Sequence, residues 1–445
     1  MILSFADRLW FPWLLILFLL VGLVYSVGSG FFPLFDCRLW IRQTLGTLHR
    51  RPTARTGLSS VQALSTALAA TTGTGSIAGV AAALHLGGPG AIFWMWITAL
   101  LGMMTGCAEK ILAVRYQRPT LSGTLQGGPM FYLRDGLHAP FLAHWFSLAC
   151  IPAALAGGNL IQASSMADTM EGLFSTDRLL TGLVTALLCA LILAGGLRRI
   201  AGCSTLLVPV MALLYLGAGV LILFLRRDQL PAALGAIFTC ALSPNSAFGG
   251  AAGWTLSAAL RHGAARAVFA SEAGLGTSAM AHGAAQVDHP AEQGMWGILE
   301  VFCSTLLTCT VTALVILVSE PDLTCPGTAQ TTAAAFAATL GRPGAWIVAI
   351  SLLLFAFSSI LGWSYYGQQA LSFLPGGTRL LPLYRFAFLL TIPLGAVRES
   401  ASLWTFVDLC DALMAIPNLF ALLLLSPEVL SLLHQWKRTK KSPAA

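Results

Sequence analysis

Charge is what this sequence has least of. Only 10% of its 445 residues are Asp, Glu, Lys or Arg, against roughly 25% in soluble globular domains. So few charges cannot cover a water-facing surface. A soluble fold is therefore excluded, and lipid is left as the solvent for most of the chain. Cysteine is present ten times but never as a CxxC pair. The cysteines are scattered from Cys37 to Cys410, mostly inside apolar runs, so neither a disulfide framework nor a zinc site is expected. HExxH, P-loop and GxSxG patterns are all missing, which argues against ATP hydrolysis. His85, His138, His144, His282 and His289 show no metal-ligand spacing, and most fall near the ends of apolar windows. The net charge of +7 sits in short clusters between apolar stretches. It builds no basic, aromatic-rich face, so no nucleic-acid partner is expected.

Hydrophobic residues make up 56% of the chain. Apolar windows fall near 10–35, 58–86, 91–114, 144–168, 178–197, 203–225, 247–283, 294–319, 344–373, 380–398 and 402–426. About 20 apolar residues span a bilayer, so these predict about 11 transmembrane helices of an all-α integral membrane protein. The short Ala/Thr-rich stretch 324–341 is expected to be a loop helix. The window from Trp10 to Phe35 has no basic region before it and is long for a signal peptide, so it is read as the first span.

Lys/Arg asymmetry gives an orientation. Arg38, Arg42, Arg50, Arg51 and Arg55 follow the first window, and Lys437, Arg438, Lys440 and Lys441 end the chain. Arg115, Arg118, Arg198, Arg199, Arg379 and Arg385 fall on the same side. Asp168, Glu171, Asp177, Glu320 and Asp322 fall opposite. The expectation is an N-terminus outside, a C-terminus in the cytoplasm and an odd number of spans. Arg226, Arg227, Arg261 and Arg266 fall on the outer side, with Arg261 and Arg266 expected on a surface helix before the seventh span.

Two windows break the pattern of a membrane helix. The second contains Thr71-Thr72-Gly73-Thr74-Gly75-Ser76, and the seventh contains Ser271-Glu272-Ala273-Gly274-Leu275-Gly276. Each begins a block of five windows, and interrupted segments at matching positions of two halves point to an inverted-repeat transporter. Unwound backbone leaves N–H and C=O groups that cost several kcal/mol each in hydrocarbon. A ligand relieves that cost: amides can bind a carboxylate, and carbonyls can bind a cation. The alternative for the glycines is close packing between helices.

Glu272 is a carboxylate at mid-span, a functional position by default, or else a group that satisfies orphan amides at the break. Glu109, beside Lys110, reads as a boundary pair at the cytoplasmic end of the third span. Asn159 and Gln162 are interhelical glue or ligand contacts. Ser358 and Ser359 offer hydroxyls for an alkali cation, or bond their own helix. Trp363 walls a pocket or simply packs. A membrane-embedded enzyme would need several convergent acids or bases, and only Glu272 stands out. A channel would need a pore-lining ring, which this pattern does not display.

Several stretches together resemble the alanine/glycine:cation symporter family. They are Thr72 to Val80, Gly87-Gly88-Pro89-Gly90 through Trp96, Gly127-Gly128-Pro129-Met130-Phe131-Tyr132, Phe269 to Gly276, Gly362-Trp363-Ser364-Tyr365-Tyr366-Gly367 and Met414-Ala415-Ile416-Pro417-Asn418. They run in order from about residue 58 to 426. The resemblance implies an eleven-helix protein whose last ten helices form a LeuT-type 5+5 inverted repeat. Its parts would be an extra N-terminal helix at 1–36, a basic cytoplasmic loop at 37–57, repeats at 58–226 and 247–426, and a basic tail at 427–445. It implies a bacterial inner-membrane symporter that takes up a small neutral amino acid, alanine or glycine, driven by sodium, with no cofactor. Thr74, Gly75, Gln162, Phe269, Ser271, Gly274, Ile360 and Trp363 would surround the substrate. Ala69, Thr72, Ser358 and Ser359 would hold the cation, and Gly73, Glu272 and Gly276 would shape the breaks.

The chain departs from the family pattern in five places. Ser76, Ser164 and Ser271 stand where the family usually has Asn, and Ser304 and Gln368 stand where an acid is usual. Shorter ligands and lost charges imply altered cation coupling, such as proton coupling or uniport, or a changed substrate range.

Overall fold

The computed structural model describes residues 10–47, 57–120, 123–242, 256–319, 329–398 and 401–441. Among them the chain is almost wholly helical, as backbone in hydrocarbon must satisfy its own polar groups. The exceptions are a two-residue antiparallel ladder, Arg118–Pro119 with Leu125–Gln126, and a bridge between Leu58 and Ala285. In chain order the helices that matter are α1 (Trp10–Gly28), α2 (Ser60–Thr71), α3 (Ala78–Gly87), α4 (Gly90–Arg115), α5 (Pro140–Phe174), α6 (Arg178–Leu193), α7 (Gly196–Leu225), α8 (Leu230–Leu242), α9 (Leu256–Ser271) and α10 (Thr277–His282). They continue with α11 (Pro290–Val318), α12 (Ala329–Leu340), α13 (Arg342–Phe373), α14 (Gly377–Ala396), α15 (Ala401–Leu424) and α16 (Ser426–Lys441).

Eight helices among the described residues are long and apolar enough to cross a membrane: α1, α4, α5, α7, α11, α13, α14 and most of α15. The eleven apolar windows exceed this number for a physical reason. The second and seventh windows are each split into two short helices, α2/α3 and α9/α10, and α6 has only 16 residues. The outward faces carry large apolar side chains such as Leu187, Leu213, Phe224 and Phe386, a surface stable against lipid and not against water.

Ion pairs sort the helix ends onto two faces. On one face Lys437 pairs with Asp36, Lys440 with Glu292 at 3.3 Å and Arg115 with Glu428 at 3.0 Å. Arg134 and Arg118 both reach Asp135 there, and their charge holds its carboxyl below the usual range. On the other face Arg178 binds Asp168 at 2.7 Å and the Ala396 carbonyl at 2.9 Å. Arg226 bonds Thr339 and Ala338 at that end. Arg50, Arg51, Arg55, Glu320 and Asp322 lie outside the described residues.

Two expectations are corrected. The first span ends at Gly28, because Gly30 and Phe31 adopt positive φ (69° and 51°) and turn the chain before Phe35. Arg261 and Arg266 do not lie on a separate surface helix. They belong to α9, the first half of the broken seventh region, with Arg261 over the Phe11 ring and Arg266 over the Phe269 ring. The expected short helix at 324–341 is present as α12, packed beside α13.

Candidate functional site

Both glycine-rich segments are broken helices. α2 stops at Thr71. Gly73 is extended (φ −99°, ψ −154°), one 3-10 turn runs Thr74–Ser76, and α3 resumes at Ala78. α9 stops at Ser271. Glu272, Gly274 and Gly276 then take φ of 52°, 97° and 81° before α10 begins. A left-handed conformation is strained for a residue with a Cβ, so Glu272 is held there by its surroundings. Its Oε2 accepts from the Thr277 hydroxyl at 2.5 Å, tying the break to the first residue of α10.

The two breaks face a shared cavity of about 20 Å³. Gly73 and Gly75 form one wall and Phe269, Glu272 and Leu275 another, with Gln162 of α5, Trp363 of α13 and Asp411 of α15 closing the rest. That is room for about one water molecule, so an amino acid can enter only when the walls part further. The cavity's glycines are required by close approach. A Cβ on Gly73 would lie 2.7 Å from the Ser359 hydroxyl, and one on Gly75 would lie 2.7 Å from the Phe269 ring. One on Gly158, in α5, would lie 2.2 Å from Trp363. The cavity's polar surroundings are only partly satisfied. Thr71 Oγ1, Thr74 Oγ1, Gln162 Oε1 and Asp411 Oδ1 are buried with no hydrogen-bond partner. Unpaired buried polar atoms are rare in folded proteins; of these, Thr71, Gln162 and Asp411 line the cavity, while others lie elsewhere in the bundle, as at Trp94, Ser204 and Ser351.

Behind Gly73 lies a second cluster, made of neutral oxygens. The Ala69 carbonyl accepts from both Ser358 and Ser359 at 3.1 Å, and Ser359 also reaches the Ala70 carbonyl at 3.1 Å. Carbonyl and hydroxyl oxygens are the donors a hard cation takes.

Of the expected substrate residues, Gly75, Gln162, Phe269 and Trp363 line the cavity. Thr74, Ser271, Gly274 and Ile360 do not. Ser271 bonds back to the Ala267 carbonyl at 2.8 Å, Gly274 is packed against Phe18, and Thr74 and Ile360 are buried beside the cavity. Of the expected cation residues, Ala69, Ser358 and Ser359 converge, while Thr72 caps α2 through its N–H to Leu68. None of the five departures from the family pattern lines the cavity. Ser164 donates to the Arg398 carbonyl, Ser304 sits against Thr305, and Gln368 accepts from Arg385 at 2.7 Å. The buried Ser76 hydroxyl has no partner.

Four ionisable residues have roles that the sequence misplaces or conceals. Glu109 and Lys110 are not a boundary pair, since both side chains are fully buried. Glu109 Oε1 accepts the N–H of Gly274 at 2.8 Å, that of Gly276 at 3.0 Å and the Asn418 amide at 2.8 Å. It is therefore Glu109, and not Glu272, that satisfies the orphan amides of the break. Lys110 reaches Glu300 at 3.1 Å and Ser278 at 2.7 Å, and Glu300 also faces His282 at 3.2 Å. Glu300 and Asp411 complete the set of missed residues. Each is an ionisable group inside an apolar window, which was itself a legible signal.

The model of the sodium:alanine symporter family matches residues 1–445. The chain is 39% identical over 443 residues to a sodium/alanine symporter, AgcS, of Methanococcus maripaludis, covering 98% of this chain and 96% of that protein. It is 32% identical to the amino-acid carrier protein AlsT of Bacillus subtilis, covering 98% of this chain and 91% of that one. Among solved structures, a variant of the Eremococcus coleocola manganese transporter superposes with a TM-score of 0.54. It is 14% identical and covers 86% of this chain and 81% of its own, a likeness of fold alone. The chain is a multi-pass membrane transporter, not an enzyme, and it belongs to the sodium:alanine symporter family.

Proposed function

We propose that this protein is a sodium-coupled symporter of alanine or glycine that works by alternating access in a bacterial inner membrane. The observation that carries the reading is the pair of facing helix breaks around a small, under-satisfied polar cavity, with a neutral oxygen cluster directly behind one of them. In this reading the Thr74–Gly75 backbone takes the substrate carboxylate. Gln162, Phe269 and Trp363 contact the remainder, with Ser271, Gly274 and Ile360 supporting them. Ala69, Thr72, Ser358 and Ser359 take sodium, and Gly73, Glu272 and Gly276 shape the breaks.

Eleven spans follow if α2/α3 and α9/α10 each cross as a broken unit and α6 crosses despite its length. The last ten then form a LeuT-type 5+5 repeat over 58–226 and 247–426, after an N-terminal helix at 1–36 and a loop at 37–57, with a tail at 427–445. The arginine- and lysine-rich face that joins Asp36, Arg115 and Lys437 would be cytoplasmic. A membrane potential of about 100 mV supplies roughly 2.3 kcal/mol per sodium, enough for roughly 50-fold accumulation.

Uptake of labelled alanine and glycine into proteoliposomes, with and without an inward sodium gradient, tests this. Gradient-dependent uptake is expected, and uptake indifferent to sodium overturns the coupling. A second reading, altered coupling or substrate range, rests on Ser76, whose short hydroxyl is buried and unpartnered next to the break. Uptake driven by a proton gradient in sodium-free buffer would favour it.

A further inference from the structure

We propose that Asp411 recognises the ammonium group of the amino acid bound in this cavity, making it a specificity-determining residue on α15. The inference rests on the reading of the cavity as the substrate site. Asp411 is 2% exposed, lines the cavity, and its Oδ1 has no hydrogen-bond partner. A buried carboxylate without a partner is costly, so the fold keeps it only if something relieves that cost. No lysine or arginine lines the cavity. A positive charge carried in by the ligand would compensate it.

An ammonium fits the acceptors better than an alkali ion does. It carries three N–H donors and no acceptor. Besides the Thr71 hydroxyl, the cavity presents three acceptor side chains. These are Asp411, Gln162, whose Oε1 is unpartnered while its Nε2 is held by the Gly157 carbonyl at 3.3 Å, and Glu272. Glu272 already spends Oε2 on Thr277, which leaves Asp411 as the uncommitted carboxylate. The neutral carbonyl and hydroxyl cluster suited to an alkali ion lies instead behind Gly73, at Ala69, Ser358 and Ser359, none of which lines the cavity. Charge and donor type thus divide the region. The zwitterion's cationic end meets Asp411, and its carboxylate end meets the amides around Gly75. An acid with a hydroxyl in place of the ammonium would offer Asp411 one O–H donor and no positive charge, so it should be strongly disfavoured.

The test uses the full-length protein in proteoliposomes. Asp411→Asn should raise the KM for alanine at least tenfold, leave the sodium half-saturation at saturating alanine within twofold, and narrow the preference for alanine over lactate by a similar factor. Asp411→Glu should fall between the two. A check on the wild type guards against a variant that does not fold: alanine should raise its melting temperature in sodium and lactate should not. An unchanged alanine KM in Asp411→Asn overturns the proposal, as does equal protection by lactate. A raised sodium half-saturation with alanine KM unchanged also overturns it, by moving Asp411 to a cation site. If the wild type takes up alanine and the variant is indistinguishable, this inference alone fails. If the wild type binds no amino acid, the proposed function fails with it.

Discussion

Truncating Glu109 should unfasten the break between α9 and α10. Glu109 Oε1 accepts from the Gly274 and Gly276 amides at 2.8 and 3.0 Å and from the Asn418 side chain at 2.8 Å. In Glu109→Ala the Gly274 and Gly276 amides stay buried without an acceptor, while Asn418 keeps its bond to the Gly274 carbonyl at 2.8 Å. Each such orphan costs about 1–3 kcal/mol, so the two together cost about 2–6 kcal/mol. Relief from desolvating Glu109 itself offsets part of this, yet removing one member of a buried charged set still costs about 3–5 kcal/mol net. Lys110 keeps Glu300 at 3.1 Å, which limits the damage on that side. Set against total stabilities of about 5–15 kcal/mol, the loss is a large share. Glu109→Gln keeps an acceptor oxygen and loses only the charge-assisted increment, about 1–3 kcal/mol. The assay is the temperature at which half the detergent-solubilised protein loses its monodisperse peak. The expected order is wild type, then Glu109→Gln, then Glu109→Ala, with Glu109→Ala far below. A Glu109→Ala protein that melts with the wild type and transports normally refutes the assignment.

Gly75→Ala places a methyl 2.7 Å from the Phe269 ring, so it should abolish alanine binding while leaving most of the melting temperature intact, as read by ligand-induced thermal shift. Gly158→Ala drives a Cβ to 2.2 Å from Trp363, and uptake should fall at least tenfold as the indole is displaced. Ser358→Ala and Ser359→Ala each remove one hydroxyl from the Ala69 cluster. Each should raise the half-saturating sodium concentration several-fold in a flux titration, with alanine KM at saturating sodium little changed. Gln368→Glu converts an existing contact with the exposed Arg385 into an ion pair. Exposed pairs contribute about 0–1 kcal/mol, so melting should shift slightly and sodium dependence not at all.

Local composition made the breaks legible. Thr72-Gly73-Thr74-Gly75-Ser76 and Ser271-Glu272-Ala273-Gly274-Leu275-Gly276 cannot sit comfortably as membrane helix, and both are interrupted at those residues. Ser358 and Ser359 were legible for a similar reason, since adjacent hydroxyls in an apolar window stand out. The ionic lining was harder to read, because its meaning is set by partners far along the chain. Glu109 and Lys110 stand next to each other near the end of an apolar window, the pattern of a pair at the membrane boundary. Only packing of α4 against the second break, more than a hundred residues later, turns the carboxylate toward Gly274 and Gly276.

Asp411 and Glu300 were visible as charges inside apolar windows, but a window average dilutes one carboxylate among some twenty apolar neighbours. Sequence also cannot say which charges are compensated. Glu300 faces Lys110 at 3.1 Å, so its charge is met within the fold. Asp411 Oδ1 meets no donor, and its helix has no spare amide to offer in mid-span. The two carboxylates look alike in the chain. The difference between a structural charge and one left for a ligand lies in that accounting of partners, and it separates the network that fixes the second break from the group that faces the cavity.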